Sequence, residues 1–204
     1  PLLRVSSPDH APLTFDVDSL STRVSDPAVQ VVNLAAHAWT HGDSLAFTAH
    51  RLSLPDSRLS GGGVVTWPRG PVLYDFALKA SRFDLRDFHW ISPLFPDMVG
   101  QATLIARSRS RRLNAYTFQD LVASGDQGKV EGDVTVLTDN RRGLGVEDMS
   151  LSLTDLDLDV PRPYLDTIPL QGTLTGTAEG NGFLDGLNLA TDLTFHDRLV
   201  PGGA

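Results

Sequence analysis

The chain has 204 residues and a mass of 22.1 kDa, room for one large domain or two small ones with a proper core. Hydrophobic residues make up 41% of it, and 25 acids against 17 bases give a net charge of −8, which argues against a phosphate-backbone binder. Without cysteine there are no disulfides, thiol chemistry or cysteine zinc sites, and no apolar run reaches the roughly 18–20 residues of a membrane-spanning helix. The apolar residues are of one kind: aromatics are 7% and Met only 2, while Leu and Val recur beside Asp, Ser, Thr and Gly. That mixture predicts many short strands with one polar face. Pro1 in place of Met, and the Pro201-Gly202-Gly203-Ala204 tail, read as a segment of a longer protein with no visible signal peptide.

Along the chain, Leu13, Phe15 and Val17 alternate with Thr14, Asp16 and Asp18, the period of a half-buried antiparallel strand. Residues 29–40 and 45–54 flank His41-Gly42-Asp43-Ser44, a tight-turn sequence, and Pro55-Asp56-Ser57 separates the next pair. Gly61-Gly62-Gly63 leads into Val64-Val65-Thr66-Trp67 rather than a helix, so it predicts a bulge or bend and no phosphate loop. His89 to Pro96 and Val160 to Pro169 are apolar but bounded by prolines, which stop any ladder. They predict helical turns or ordered loops covering the end of a sheet. Arg107, Arg109, Arg111 and Arg112 form the one basic run, read as exposed strand, with anionic lipid headgroups as the functional alternative. Asn140-Arg141-Arg142-Gly143 is another turn. Leu170, Gly172, Leu174 and Gly176 share one face; Asn181-Gly182 and Asp185-Gly186 break up the last third. Leu187, Leu189, Thr191, Leu193 and Phe195 then alternate with polar residues. No stretch of ten residues has a helical period, so the fold class is all-β.

An internal similarity organises these strands. A shift of 73 residues lays 73–96 over 146–169 without a gap, matching Asp75 to Asp148, Leu78 to Leu151, Asp84-Leu85 to Asp157-Leu158 and Pro96 to Pro169. A shift of 71 lays Arg58-Leu59-Ser60-Gly61 over Lys129-Val130-Glu131-Gly132. The expected units are 13–100 and 101–172, with a partial third from 173, within one elongated segment covering 1–204.

Candidate chemistry is sparse. His37 and His41 have i, i+4 spacing with His50 nearby, but on a strand they stand about 13 Å apart, too far to share an ion. Asp155, Asp157 and Asp159 would line up on one strand face, where calcium is one reading and a solvated or charged edge the favoured one. No nucleophile elbow, catalytic triad or distinct carboxylate pair occurs, so the expectation is no enzyme, no metal and no cofactor.

A long sheet with one apolar face must hide that face. With no amphipathic helix and few aromatics, the sequence predicts an antiparallel sheet curled into a hydrophobic groove with an aliphatic lining. Its expected lining is Val134, Val136, Leu151, Leu153, Leu170, Leu174, Leu187, Leu189, Leu193 and Phe195. Such a surface suits phospholipid acyl chains, which offer area and no directional groups. The alternative is a structural or adhesive β-repeat module with a dry core that binds a protein or glycan.

The run Thr173-Leu174-Thr175-Gly176-Thr177-Ala178-Glu179-Gly180, the strand from Leu184 to Phe195, Ser57 to Val64, and the Asp-Leu…Pro…Gly units from Asp84 and Asp157 resemble the strand repeats of the AsmA-like/TamB superfamily. The resemblance covers most of the chain from about residue 13, through degenerate motifs. It implies a β-taco-like groove in a non-enzymatic protein anchored in the inner membrane of a diderm bacterium. Such a protein crosses the periplasm and serves phospholipid movement and outer-membrane biogenesis. By the same resemblance, the partners would be acyl chains, together with inner- and outer-membrane assembly proteins met through regions outside this segment, and no nucleic acid. The N-terminal anchor and C-terminal domain of the family are not recognisable here, which leaves the subfamily open.

Overall fold

The computed structural model describes residues 3–6, 13–25, 28–90, 93, 95–160, 162 and 171–197. Twelve strands form one antiparallel meander: β1 (Leu3–Ser6), β2 (Thr14–Ser25), β3 (Ala28–His41), β4 (Ser44–Ser53), β5 (Arg58–Thr66), β6 (Leu73–Asp84), β7 (Val99–Ser108), β8 (Leu113–Gly125), β9 (Gly128–Asp139), β10 (Gly143–Asp157), β11 (Gly172–Phe183) and β12 (Asn188–Asp197). Their spatial order is their chain order, β1 and β12 are the two edges, and the sheet does not close into a barrel. The expected hairpins at 42–43, 54–57 and 140–142 are present. Asn181-Gly182 does not interrupt the last third: both residues lie within β11, paired with Asn188 and Val146.

Alternation alone would not keep one face apolar over strands this long, because several of them skip a beat. In β10 the apolar residues fall at Val146, Met149, Leu151, Leu153 and Leu156, with two gaps of three. A one-residue slip would send every later side chain to the wrong face. Bulges absorb the extra residues: the register shifts between Val146 and Met149 and again between Leu153 and Leu156. The same device lies between Ala80 and Phe83 in β6, Phe118 and Leu121 in β8, Ala49 and Leu52 in β4, and Val17 and Leu20 in β2. Bulges bend a strand and increase its twist. Gly61-Gly62-Gly63 is not one of them; these residues pair regularly with Ala49, Thr48 and Phe47 and with Leu78, Ala77 and Phe76.

In a meander, successive connections fall on alternate rims. One rim carries tight turns, including 42–43, 67–72, 109–112, 140–142 and the 3-10 turn Leu184–Gly186. The other carries 54–57, 126–127 and the two long proline-bounded connectors. The first connector opens with a 3-10 turn at Leu85–Phe88, capped by the Asp84 side chain, which accepts from the Arg86 N–H. Leu85, Phe88 and Met98 then fold onto the sheet beside Phe83, Ala80, Ala102 and Ala123. This local patch is one hydrophobic core cluster; Leu54, Val134, Leu137, Leu153, Leu156 and Leu158 are buried outside it. Most of residues 161–170 lie outside the described residues.

Away from the connectors, full burial on the sheet is reached mostly by small side chains such as Ala49, Ala106 and Ala178, shadowed by larger neighbours that remain partly open. The total accessible surface is 12477 Å². A compact monomer of this mass exposes about 9,300 Å². The difference is what a single layer costs: every substantial strand–strand contact is between neighbours in the sheet.

Candidate functional site

The pairing register ties the apolar residues into rows that cross the sheet. One row runs Val5, Phe15, Ala38, Phe47, Gly63, Phe76, Ala106, Tyr116, Val136, Val146, Gly182 from β1 to β11. Large and small residues alternate along it from Phe15 to Tyr116. Gly63 lets the rings of Phe47 and Phe76 meet across it at 6.4 Å between centroids; a Cβ there would stand 2.3 Å from the Phe76 Cβ. Parallel rows contain Leu78, Leu104, Phe118 and Val134, and then Leu59, Ala80 and Ala102. With strands about 4.8 Å apart, the rows extend for roughly 50 Å.

Nine of the ten expected lining residues lie on this one face. Val136 pairs with Tyr116 and Val146, and Val134 with Phe118. Leu151 sits between Gly132 and Ala178, and Leu153 between Val130 and Gly176. Leu174 pairs with Leu156 and Phe195, Leu193 with Gly176, and Leu189 with Gly180. Leu187 passes against Gly182. Leu170 lies outside the described residues. The expected lining names no residue from β2 to β8, although the alternation of Leu13, Phe15 and Val17 is legible; Phe47, Phe76, Leu104 and Phe118 contribute bulky groups to this face there. Repeated apolar residues two apart, interrupted by single gaps of three, were the available signal.

The opposite face carries most of the charged and hydroxyl side chains, knit by cross-strand pairs, with Ala115 and Leu137 buried among them. Arg107 Nε donates to Asp75 Oδ2 at 2.9 Å, directly opposite in register. The hydroxyls of Thr117 and Thr135 lie 2.9 Å apart, and Arg109 reaches Glu147 at 2.5 Å, an ion pair that holds the guanidinium charged. Polar groups also enter the apolar face near the tight-turn rim. The hydroxyls of Tyr74 and Tyr116 are 2.5 Å apart, the Tyr74 N–H donates to Ser108 Oγ, and that hydroxyl donates to Asn114 Oδ1 at 3.0 Å. Burial first, then the Tyr116 hydroxyl, push the Tyr74 phenol well above its ordinary pKa.

At the connector rim, Asp84 is fully buried and receives a fork from Arg86, with Nη2 at 2.6 Å from Oδ2 and Nε at 2.9 Å from Oδ1. These bonds hold its carboxyl below the usual range against the opposing effect of burial. Ser57, also fully buried, accepts from the Asp84 N–H and donates to Asp87 Oδ2 at 2.6 Å. This cluster positions the connector.

The remaining sequence candidates disperse. His37 is paired with Asp16 at 2.5 Å on an exposed surface, while His41 stands at the strand end. Asp155, Asp157 and Asp159 do not form the expected row: a bulge at Asp155 breaks the alternation, Asp157 ends β10 and Asp159 lies beyond it. Among the described residues no cluster of three His, Asp or Glu is arranged to hold a metal. The basic run is not exposed strand throughout; Arg107 is on β7, but Arg109, Arg111 and Arg112 form the turn into β8. No family, curated protein or solved structure matches this chain.

Proposed function

We propose that this chain is a non-enzymatic lipid-handling segment whose apolar face forms a groove that shields phospholipid acyl chains. The observation that carries the reading is the continuous apolar face, crossing twelve strands, on which the described residues place no second sheet and only the first connector's Leu85, Phe88 and Met98. Laying even half a dozen methylenes against such a surface is worth on the order of 5 kcal/mol. The matched positions of the 73-residue shift support a repeated unit that lengthens the groove. Ala80 and Phe83 flank a bulge in β6, and their counterparts Leu153 and Leu156 flank one in β10. Asp84 accepts the N–H two residues on, and so does Asp157, its counterpart. With the resemblance to the AsmA-like/TamB superfamily, the reading extends to a periplasmic segment serving lipid traffic between inner and outer membranes.

Native mass spectrometry and solvent extraction of the purified chain test it. Co-purifying phospholipid, or saturable uptake of a fluorescent phospholipid, is the expected result. A lipid-free chain that takes up no such probe overturns the reading in favour of a structural or adhesive module.

A further inference from the structure

We infer that the tight-turn rim is a docking surface for an anionic lipid bilayer. Three successive turns on this rim, 67–72, 109–112 and 140–142, contain six arginines and no acid. They stand two strands apart, roughly 10 Å from one to the next. Arg109 and Arg142 are engaged with Glu147 and Asp185. Arg69, Arg111 and Arg141 are exposed and make no ion pair with any described residue, while Arg112, also exposed, lies within electrostatic reach of Asp139. Arg111 brings two turns together, its guanidinium carbon 3.8 Å from where a Cβ on Gly70 would stand.

Charge alone would fit any polyanion. What selects a bilayer is the apolar material set among the arginines. Trp67 is 45% exposed and Val72 54% in the first turn; Leu144 is exposed just after the third, and Leu184 in the neighbouring Leu184–Gly186 turn. An amphipathic indole and aliphatic tips interleaved with guanidinium groups match the layered chemistry of a membrane interface, phosphates outside and acyl chains just beneath. A nucleic-acid duplex offers nothing to Val72, Leu144 or Leu184. The overall charge of −8 does not oppose this contact, because acids beyond about 8 Å are screened at physiological salt. The connector rim is the contrast. Its exposed Trp90 follows Asp87 in the chain, and the arginines of that rim, Arg58, Arg82 and Arg86, are committed to the Leu54, Ser57 and Asp56 carbonyls and the Asp84 carboxylate.

The test is co-sedimentation of the full chain with vesicles of phosphatidylcholine alone or mixed equally with phosphatidylglycerol, at low and high salt. The expected result is binding to the mixed vesicles only, abolished by high salt, with a blue shift of tryptophan emission that disappears in Trp67→Phe. Each arginine truncated should weaken binding roughly fivefold, so Arg69→Ala/Arg111→Ala loses about 25-fold, and Arg141→Ala on a separate turn about fivefold. Trp90→Ala should bind as the parent does, and unchanged urea midpoints establish that the variants are folded. Equal binding to neutral vesicles, undiminished binding by the arginine variants, or a preference for duplex DNA that mixed vesicles fail to compete each overturns the inference. Because lipid loading is read by extraction and docking by sedimentation, either property can fail without the other.

Discussion

The backbone N–H of Asp148 donates to the Oδ1 of Asn181 at 2.8 Å, across from β10 to β11, at a residue whose φ is +49°. The bulge at this point takes Asp148 out of the ladder, and the neighbouring strand supplies a side chain in place of the lost carbonyl. The arrangement recurs. Asp120, φ +50°, donates to Asp133 Oδ1 at 2.8 Å, and Asp155, φ +47°, donates to Thr175 Oγ1 at 2.9 Å. Aspartate tolerates the left-handed region better than most residues, and a β-branched residue tolerates it poorly. Asn181→Ala should therefore cost about 1 kcal/mol, and Asp148→Val about 1–2 kcal/mol. Asp148→Gly should be neutral or better. Urea unfolding decides; an Asp148→Val variant as stable as the parent would contradict the account.

Gly176 lies between Leu153 and Leu193 on the apolar face, with φ +138° and the Asp192 carbonyl oxygen 2.0 Å from where its Cβ would be. A side chain cannot be accommodated while β11 and β12 remain paired. Gly176→Val should cost more than about 2 kcal/mol and expose the amides of β12 to fast hydrogen exchange. Protection of those amides equal to the parent's would show that the close approach is dispensable.

Asp84 has a depressed pKa, chiefly through the Arg86 hydrogen bonds. An acid with a lowered folded pKa stabilises fully above its unfolded value, near pH 4, and that contribution disappears as pH falls through the folded value. Asp84→Asn should thus flatten the acid limb of the stability curve below about pH 4, besides costing about 2 kcal/mol at neutrality. Thermal melts of both proteins across the acid range provide the comparison, and parallel acid limbs would refute it.

Tyr74 gives the reverse dependence. Its pKa is raised by burial and by Tyr116, so its contribution is complete below about pH 10 and is lost as pH climbs toward the folded value. Tyr74→Phe should remove part of the alkaline decline in stability. Spectrophotometric titration should find one phenol fewer resisting ionisation than in the parent; an unchanged titration curve would count against the pair.

Leu189 is 55% exposed on the edge strand β12 while belonging to the apolar face. Leu189→Asp should leave the unfolding midpoint nearly unchanged, within about 0.5 kcal/mol, yet reduce phospholipid uptake. Unfolding of this variant would point to a covered core at that position, the arrangement of a sandwich.

Much of this architecture was legible in the sequence because antiparallel strands write their two faces in alternate letters. Leu187 to Phe195 and the hairpin around Gly42-Asp43 were readable for that reason. The bulges were harder. A gap of three, as from Val146 to Met149, looks like the end of a strand unless an aspartate is known to take the left-handed conformation there. Asn181-Gly182 carries the letters of a turn, yet Asn181 is occupied by the Asp148 N–H and the glycine is held within β11. The arginine rim was hidden for another reason. Its members come from three separate turns, and only folding places them along one border. Arg107 to Arg112 supplied half of the signal, but Arg69, Arg141 and Trp67 carry no local mark that joins them to it.

The strictly sequential strand order has a mechanical consequence. Among the described residues no strand is clamped by a partner distant in the chain, and none of them locks the two ends of the sheet to each other. Tension applied at either end meets one ladder at a time, and the sheet should unzip in hairpin-sized steps. The same topology permits growth: a further hairpin laid on β12 would extend the surface without disturbing any contact already made.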